Sequence, residues 1–168
     1  MASVSVAQVR EMLRGERPHM VGKDFSGLDL DGFDFSGMTL HRMNFKDTSL
    51  VNAKFNKAFL SETCFDRADM TGADLSESNL KNAQLNRTCL RNANLSKANL
   101  TGASLYDADL KKASLSFANL KQANLGAAEL GAASFFGADL TGADFTAANT
   151  LGASFNKARL DKVKGLRK

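Results

Sequence analysis

From Phe25 to Leu160 a large apolar residue returns at every fifth position, and 27 of the 28 such positions are Leu, Phe or Met. Thr150 is the exception. A second series runs two residues ahead of the first: of the 22 positions from Ala53 to Ala158, 19 are Ala, with Thr63, Ser78 and Thr88 making up the rest. A period of five fits neither the 3.6 residues of a helical turn nor the two-residue alternation of a strand, so the chain must bend regularly to turn both series inward. Short periods of this kind belong to solenoids, in which one unit cannot bury its apolar groups alone and does so by stacking on the next coil. The core expected from the series includes Phe25, Leu30, Phe35, Leu40, Phe45, Leu75, Leu100, Leu120, Phe145 and Phe155.

Units such as Ala73-Asp74-Leu75-Ser76-Glu77, Ala98-Asn99-Leu100-Thr101-Gly102 and Ala138-Asp139-Leu140-Thr141-Gly142 carry the pattern A-(D/N)-L-x-x. In them the chain resembles the pentapeptide-repeat family over residues 25–160, without an insertion. The resemblance implies an all-β solenoid: a right-handed, quadrilateral parallel β-helix, one pentapeptide per side and 20 residues per coil, in about seven coils. The sequence offers an independent check. Read modulo 20, one side is all leucine (Leu40, Leu60, Leu80, Leu100, Leu120, Leu140, Leu160). All eight central Phe residues fall on two facing sides, Phe25, Phe45, Phe65 and Phe145 on one and Phe35, Phe55, Phe135 and Phe155 on the other. Four sides explain that distribution and three would not.

Three segments follow. Residues 1–23 form a leader with a short helix over 6–14, since Ser5 and Gln8 make a capping box and Val6, Val9 and Leu13 recur at helical spacing, with Gly15 able to end it. The helix is expected to cover the open bottom of the rod, where Leu28, Phe33, Met38 and Met43 replace the usual Ala. Residues 24–161 form the β-helix and 162–168 a basic tail. Thr150, followed by an outward Leu151, suggests a local disturbance of register. The C-terminal coil then lacks a lid, and a possible homodimer through that coil follows.

Gly at the second place after the central residue (Gly27, Gly32, Gly37, Gly72, Gly102, Gly137, Gly142, Gly152) suits a corner, and Asn52, Asn82 and Asn92 tolerate the same backbone. The Asp and Asn residues just before the central position are read as hydrogen-bonding to turns and neighbouring coils.

Length and filling limit the chemistry. At 168 residues the chain makes one domain, a rod roughly 30 Å long at about 4.8 Å per coil. Its interior is solid, whereas ligand pockets need roughly 300 Å³ of concave space. His19 and His41 have no partners at metal spacing, and no phosphate loop or Ser/His/Asp order stands out. The reading is therefore non-enzymatic, with no catalytic residue, no metal and no cofactor. Cys64 and Cys89 read as free thiols of a reducing compartment. With no signal-like or membrane-spanning run, a cytoplasmic location is the expectation.

Charge is patchy despite a net +4. Residues 24–40 hold four Asp and no base, the stretch from Lys81 to Lys121 carries a local +5, and so do the last twelve residues. Large outward side chains mark candidate partner-binding positions: Phe59, Tyr106, Phe117 and Phe136, the last two 19 residues apart and so nearly one coil apart. Arg91 and Lys111 share an outward column beside Lys112, an anion or phosphate-backbone site or a solvated basic face. The leading functional reading is a scaffold or protein-interaction rod with an unidentified protein partner. The family resemblance implies an alternative, a DNA mimic that binds bacterial DNA gyrase and protects it from poisons; the acidic column Asp69, Asp109, Glu129 is its only local support. Nucleic-acid binding through Arg87, Arg91, Lys97, Lys111 and Lys112 ranks third.

Overall fold

The computed structural model describes residues 4–14 and 20–166, so Gly15, His19 and the final Arg167 and Lys168 lie outside the described residues. One helix, α1 (Val6–Arg14), precedes a continuous ladder of parallel bridges, each joining residue i to i+20, from Asp24↔Asn44 to Asp144↔Lys164. Twenty residues per coil and five per side give the four-sided section. The last bridge lies inside the stretch that the charge pattern assigns to the basic tail.

The side Ala98–Gly102 shows how the pentapeptide satisfies its backbone. The Leu100 amide donates to the Asn119 carbonyl at 2.7 Å and the Gly102 amide to Lys121 at 2.9 Å, both on the next coil. The Asn99 amide reaches back to Ser78 at 2.9 Å, and the Ala98 amide closes a turn onto Leu95 at 3.1 Å. The fifth amide, on Thr101, is taken by the Asn99 side chain at 3.2 Å. Every backbone donor must find an acceptor once water is excluded, and this is why the repeat asks for Asp or Asn before its central residue. Asp24, Asp34, Asp74 and Asp144 make the same bond to the amide two residues on, at 2.8–3.0 Å. Where that residue is Ser49 or Gln84, a carboxylate one coil back substitutes: Asp31 accepts from the Val51 amide and Asp66 from the Asn86 amide, each at 2.9 Å.

Inside, the central series from Phe25 to Phe145 is fully buried and the Ala series lies between those residues. Phenylalanines stack along a side and meet edge-on across the section. Phe45 and Phe65 are 5.1 Å apart and nearly parallel, whereas Phe45 and Phe55 on facing sides are 5.8 Å apart at 83°. The polar intruders are paid for locally: Thr63 and Thr88 donate to the Leu40 and Phe65 carbonyls at 2.8 Å, and Ser78 donates to Leu75 at 2.6 Å. Among the described residues no buried side-chain nitrogen or oxygen lacks a partner.

The coil corners hold a surprise. The second residue after each central position takes a left-handed backbone whatever its type: besides Gly, twenty of the described residues do so, among them Arg67, Lys97, Phe117 and Ala127. An L-residue there costs roughly 1 kcal/mol, yet each corner amide from Gly22 to Gly142 gains an inter-coil hydrogen bond, and the ladder on its flanks leaves no other path.

At the bottom, Ser5 and Gln8 form the expected capping box, with the Ser5 amide donating to Gln8 Oε1 at 2.8 Å and the Gln8 amide to Ser5 Oγ at 3.3 Å. Val9 is fully buried, Val6, Met12 and Leu13 pack against the core, and the Arg10 guanidinium sits 5.5 Å above the Phe33 ring. At the other end the expected slip at Thr150 does not occur. Glu129↔Asn149 and Ser134↔Ser154 keep the 20-residue spacing, because hydrogen bonds on either side of Thr150 fix the backbone regardless of its side chain. Leu151 and Leu160 are exposed and Phe155 is half-buried.

Candidate interaction surface

With the interior filled, chemistry is left to the outward columns. Phe117 and Phe136 meet edge-on at 5.4 Å, and the Lys157 ammonium lies 5.2 Å above the Phe136 ring. Phe117 is 58 % exposed at a left-handed corner, with its ring resting over Gly137. A Cβ at Gly137 would approach that ring to 2.8 Å, so glycine is what lets the aromatic lie down there. Tyr106 lies in the same way against Gly126, but on the opposite side of the rod, so the structure separates it from the phenylalanine pair. The pairing of an aromatic with Gly one coil later (Phe117 with Gly137, Tyr106 with Gly126) is a signal that sequence reasoning missed. Phe59, also exposed, leans on His41 with ring centres 6.2 Å apart. His41 in turn shares a hydrogen with Ser61 Oγ across 2.5 Å through Nδ1, so it is a member of an inter-coil ladder and only part-exposed.

The basic mid-section is largely paired. Arg91 Nε donates to Asp109 Oδ2 at 2.6 Å, Lys111 reaches Glu129 at 3.1 Å and Asp109 at 3.6 Å, and Arg87 reaches Asp107 at 3.4 Å. Among the described residues Lys97 and Lys112 make no such pair. Burial pushes the Asp109 carboxyl up, but the Arg91 hydrogen bond, the Lys111 amide and both positive charges outweigh it and hold the group below the usual range. Hydrogen bonds from Lys111 and Asn149 lower Glu129 likewise, and Asp109 raises Arg91. The acidic column Asp69, Asp109, Glu129 is thus interrupted by Cys89 and engaged by cations.

Cys64 and Cys89 are free thiols. Burial raises the Cys64 thiol, against a partly opposing hydrogen bond from the Asp66 amide, and Cys89 Sγ lies 3.2 Å from Thr71 Oγ1. Among the described residues no group of three or more His, Cys, Asp or Glu is arranged to hold a metal ion. Nor, among those residues, is any helix long and apolar enough to cross a membrane.

The 20-residue ladder, the five-residue sides and the Asp/Asn turn bonds are those of a known repeat class. The profile of pentapeptide repeats matches in eight copies, across residues 24–61, 58–92, 88–126, 113–149 and 133–164. The chain belongs to the pentapeptide-repeat family and has its right-handed quadrilateral β-helix, with one short N-terminal helix. Similar solved structures include HetL, a pentapeptide-repeat protein involved in heterocyst differentiation regulation in Nostoc sp. strain PCC 7120, at 26% identity over 96% of this chain and 94% of that one, TM-score 0.43. A pentapeptide-repeat protein of the Arabidopsis thaliana thylakoid lumen is 40% identical over 74% of this chain and 69% of its own, TM-score 0.32. A trypsin-treated form of QnrB1, a plasmid-mediated fluoroquinolone resistance protein, is 22% identical over 86% and 88%, TM-score 0.48. No curated protein matches the chain.

Proposed function

We propose that the protein is a non-enzymatic rod that binds a protein partner through the aromatic patch of Phe117 and Phe136, flanked by Lys157 and Lys97. One observation carries this reading: a large apolar ring lies 58 % exposed on a corner whose backbone disfavours it, over a glycine that makes room for it. Buried aromatic anchors ringed by polar groups dominate the energetics of protein interfaces. Two free cysteines suit a reducing compartment, in keeping with a cytoplasmic location. The test compares proteins retained from the native cell by the wild type and by Phe117→Ala. A partner that is retained by the wild type should bind the variant at least tenfold more weakly in purified form; equal binding by both would place the interface elsewhere.

A second contact is proposed at the C-terminal coil, which joins two copies. Leu151 is 83 % exposed, Leu160 on the facing side of the same coil is also exposed, and no further coil stacks on that end among the described residues. Two such ends in contact bring Lys157, Arg159, Lys162 and Lys164 of each copy together against Asp161, so salt should strengthen the association by screening like charges. Sedimentation velocity should show a concentration-dependent dimer, favoured at higher ionic strength and lost in Leu160→Asp. Monomer alone at high protein concentration and high salt would refute it.

The DNA-mimic reading, with gyrase as target, is the weaker alternative. It asks for a continuous acidic surface, and here Arg91 and Lys111 occupy the carboxylates of the one column that approaches it. Nucleic-acid binding loses support in turn, since Arg87, Arg91 and Lys111 are each paired with a carboxylate and so form no continuous basic track.

A further inference from the structure

On the side built around Leu90 and Leu110, a shallow recess of about 320 Å³ is lined by Arg91, Asn92, Lys111 and Lys112. All four side chains are hydrogen-bond donors, and the neighbouring acceptors are already used. Asp109 accepts from Arg91 Nε at 2.6 Å and from the Lys111 amide at 3.1 Å, with the Lys111 ammonium at 3.6 Å. Glu129 accepts from the Lys111 ammonium at 3.1 Å and from Asn149 Nδ2 at 2.9 Å. These carboxylates hold Arg91 and Lys111 in place without exhausting their donors. The terminal guanidinium nitrogens of Arg91, the Asn92 side-chain amide and the Lys112 ammonium meet no acceptor among the described residues. Three cations against two carboxylates leave a net positive recess.

A surplus of donors converging on one hollow calls for a ligand that only accepts, and one with several oxygens. We propose that the recess binds a phosphate group, with the Arg91 fork, the Asn92 side-chain amide and the Lys112 ammonium as its donors and Asp109 as the group that positions Arg91. This site is separate from the aromatic patch, which lies on the neighbouring side around Leu115, so it stands whether or not that patch binds protein.

The phosphate could belong to a small monoester or to a nucleic-acid backbone, and the columns decide between them. One coil before Arg91 its column holds Thr71, and one coil after Lys111 it holds Gly131; the corner column holds Gly72 before Asn92 and Ala132 after Lys112. The donors therefore span two adjacent coils, roughly 5 Å of the rod axis, enough for one phosphate and not for a strand. The ligand class is a free phosphate or small phosphate monoester.

The experiment titrates the full chain with inorganic phosphate against chloride at constant ionic strength, following the Arg91 Nε–Hε and Asn92 side-chain amide signals by NMR. Saturable shifts are expected, with a dissociation constant near about 1 mM or tighter. Lys112→Glu should weaken binding at least tenfold, while Lys57→Glu, which alters an exposed lysine on another corner, should leave it unchanged. Three outcomes would overturn the proposal: shifts that do not saturate, shifts reproduced by chloride, or equal weakening by Lys57→Glu. A dT10 oligonucleotide that binds more tightly than phosphate and is weakened equally by both variants would also overturn it, by assigning the cations to a diffuse polynucleotide surface.

Discussion

Phe45→Ala should destabilise the protein by about 4 kcal/mol, more than any single Leu→Ala change in the middle of the rod. Phe45 is fully buried and its ring meets four others: Phe25 at 5.6 Å, Phe35 and Phe55 at 5.8 Å, and Phe65 at 5.1 Å. Truncation removes the transfer energy of the ring and leaves a hole between coils that cannot close, because each neighbour is pinned by its own ladder bonds. Leu100, equally buried but surrounded by aliphatic groups, should cost about 3 kcal/mol on the same change. The difference is measured by urea denaturation of the two variants beside the wild type. A solenoid is stabilised by nearest-neighbour contacts, so amide exchange in Phe45→Ala should rise first in the coils around residues 25–65. A variant no less stable than Leu100→Ala would show that the aromatic column contributes nothing beyond its volume.

Deleting residues 1–16 should turn a well-behaved protein into an aggregating one. Helix α1 places Val9 in the core and packs Val6, Met12 and Leu13 against the first coil, where Phe33 is also covered by Arg10. Without it the bottom of the rod presents Met20, Phe25, Leu30 and Met38 together with the unpaired backbone edge of the first coil, a combination that recruits other chains. Light scattering on heating should show large species and an earlier melting transition. Val9→Asp, which leaves the helix in place but forbids its docking, should move both readings in the same direction. A truncated chain that stayed monomeric and melted unchanged would remove the capping role.

The coil was legible because its two apolar series are nearly unbroken, and the eight phenylalanines on facing sides reported its four-sidedness before any coordinates. The capping box at Ser5 and Gln8 was legible for the same reason: two residue types at fixed spacing have one physical use. Other features were hidden. Left-handed corners at Arg67, Lys97 and Phe117 run against residue propensity, and only the ladder, which acts across 20 residues, imposes them. Likewise Thr150 looked like a break because a side-chain pattern was interrupted, whereas the backbone bonds that set the register do not depend on the side chain. The candidate surface was read in fragments. Phe117 and Phe136 were placed together correctly by their spacing, but the apparent basic field around Arg91 narrowed to one local recess once Asp109, 18 residues further along, proved to be its partner.

Along the flanks the central and corner amides are spent between coils, and where Asp or Asn precedes the central residue its side chain takes the amide that the ladder leaves over. Recruitment of foreign β-structure is thereby restricted to the two tips, and a longer version of the rod would be no stickier than a short one.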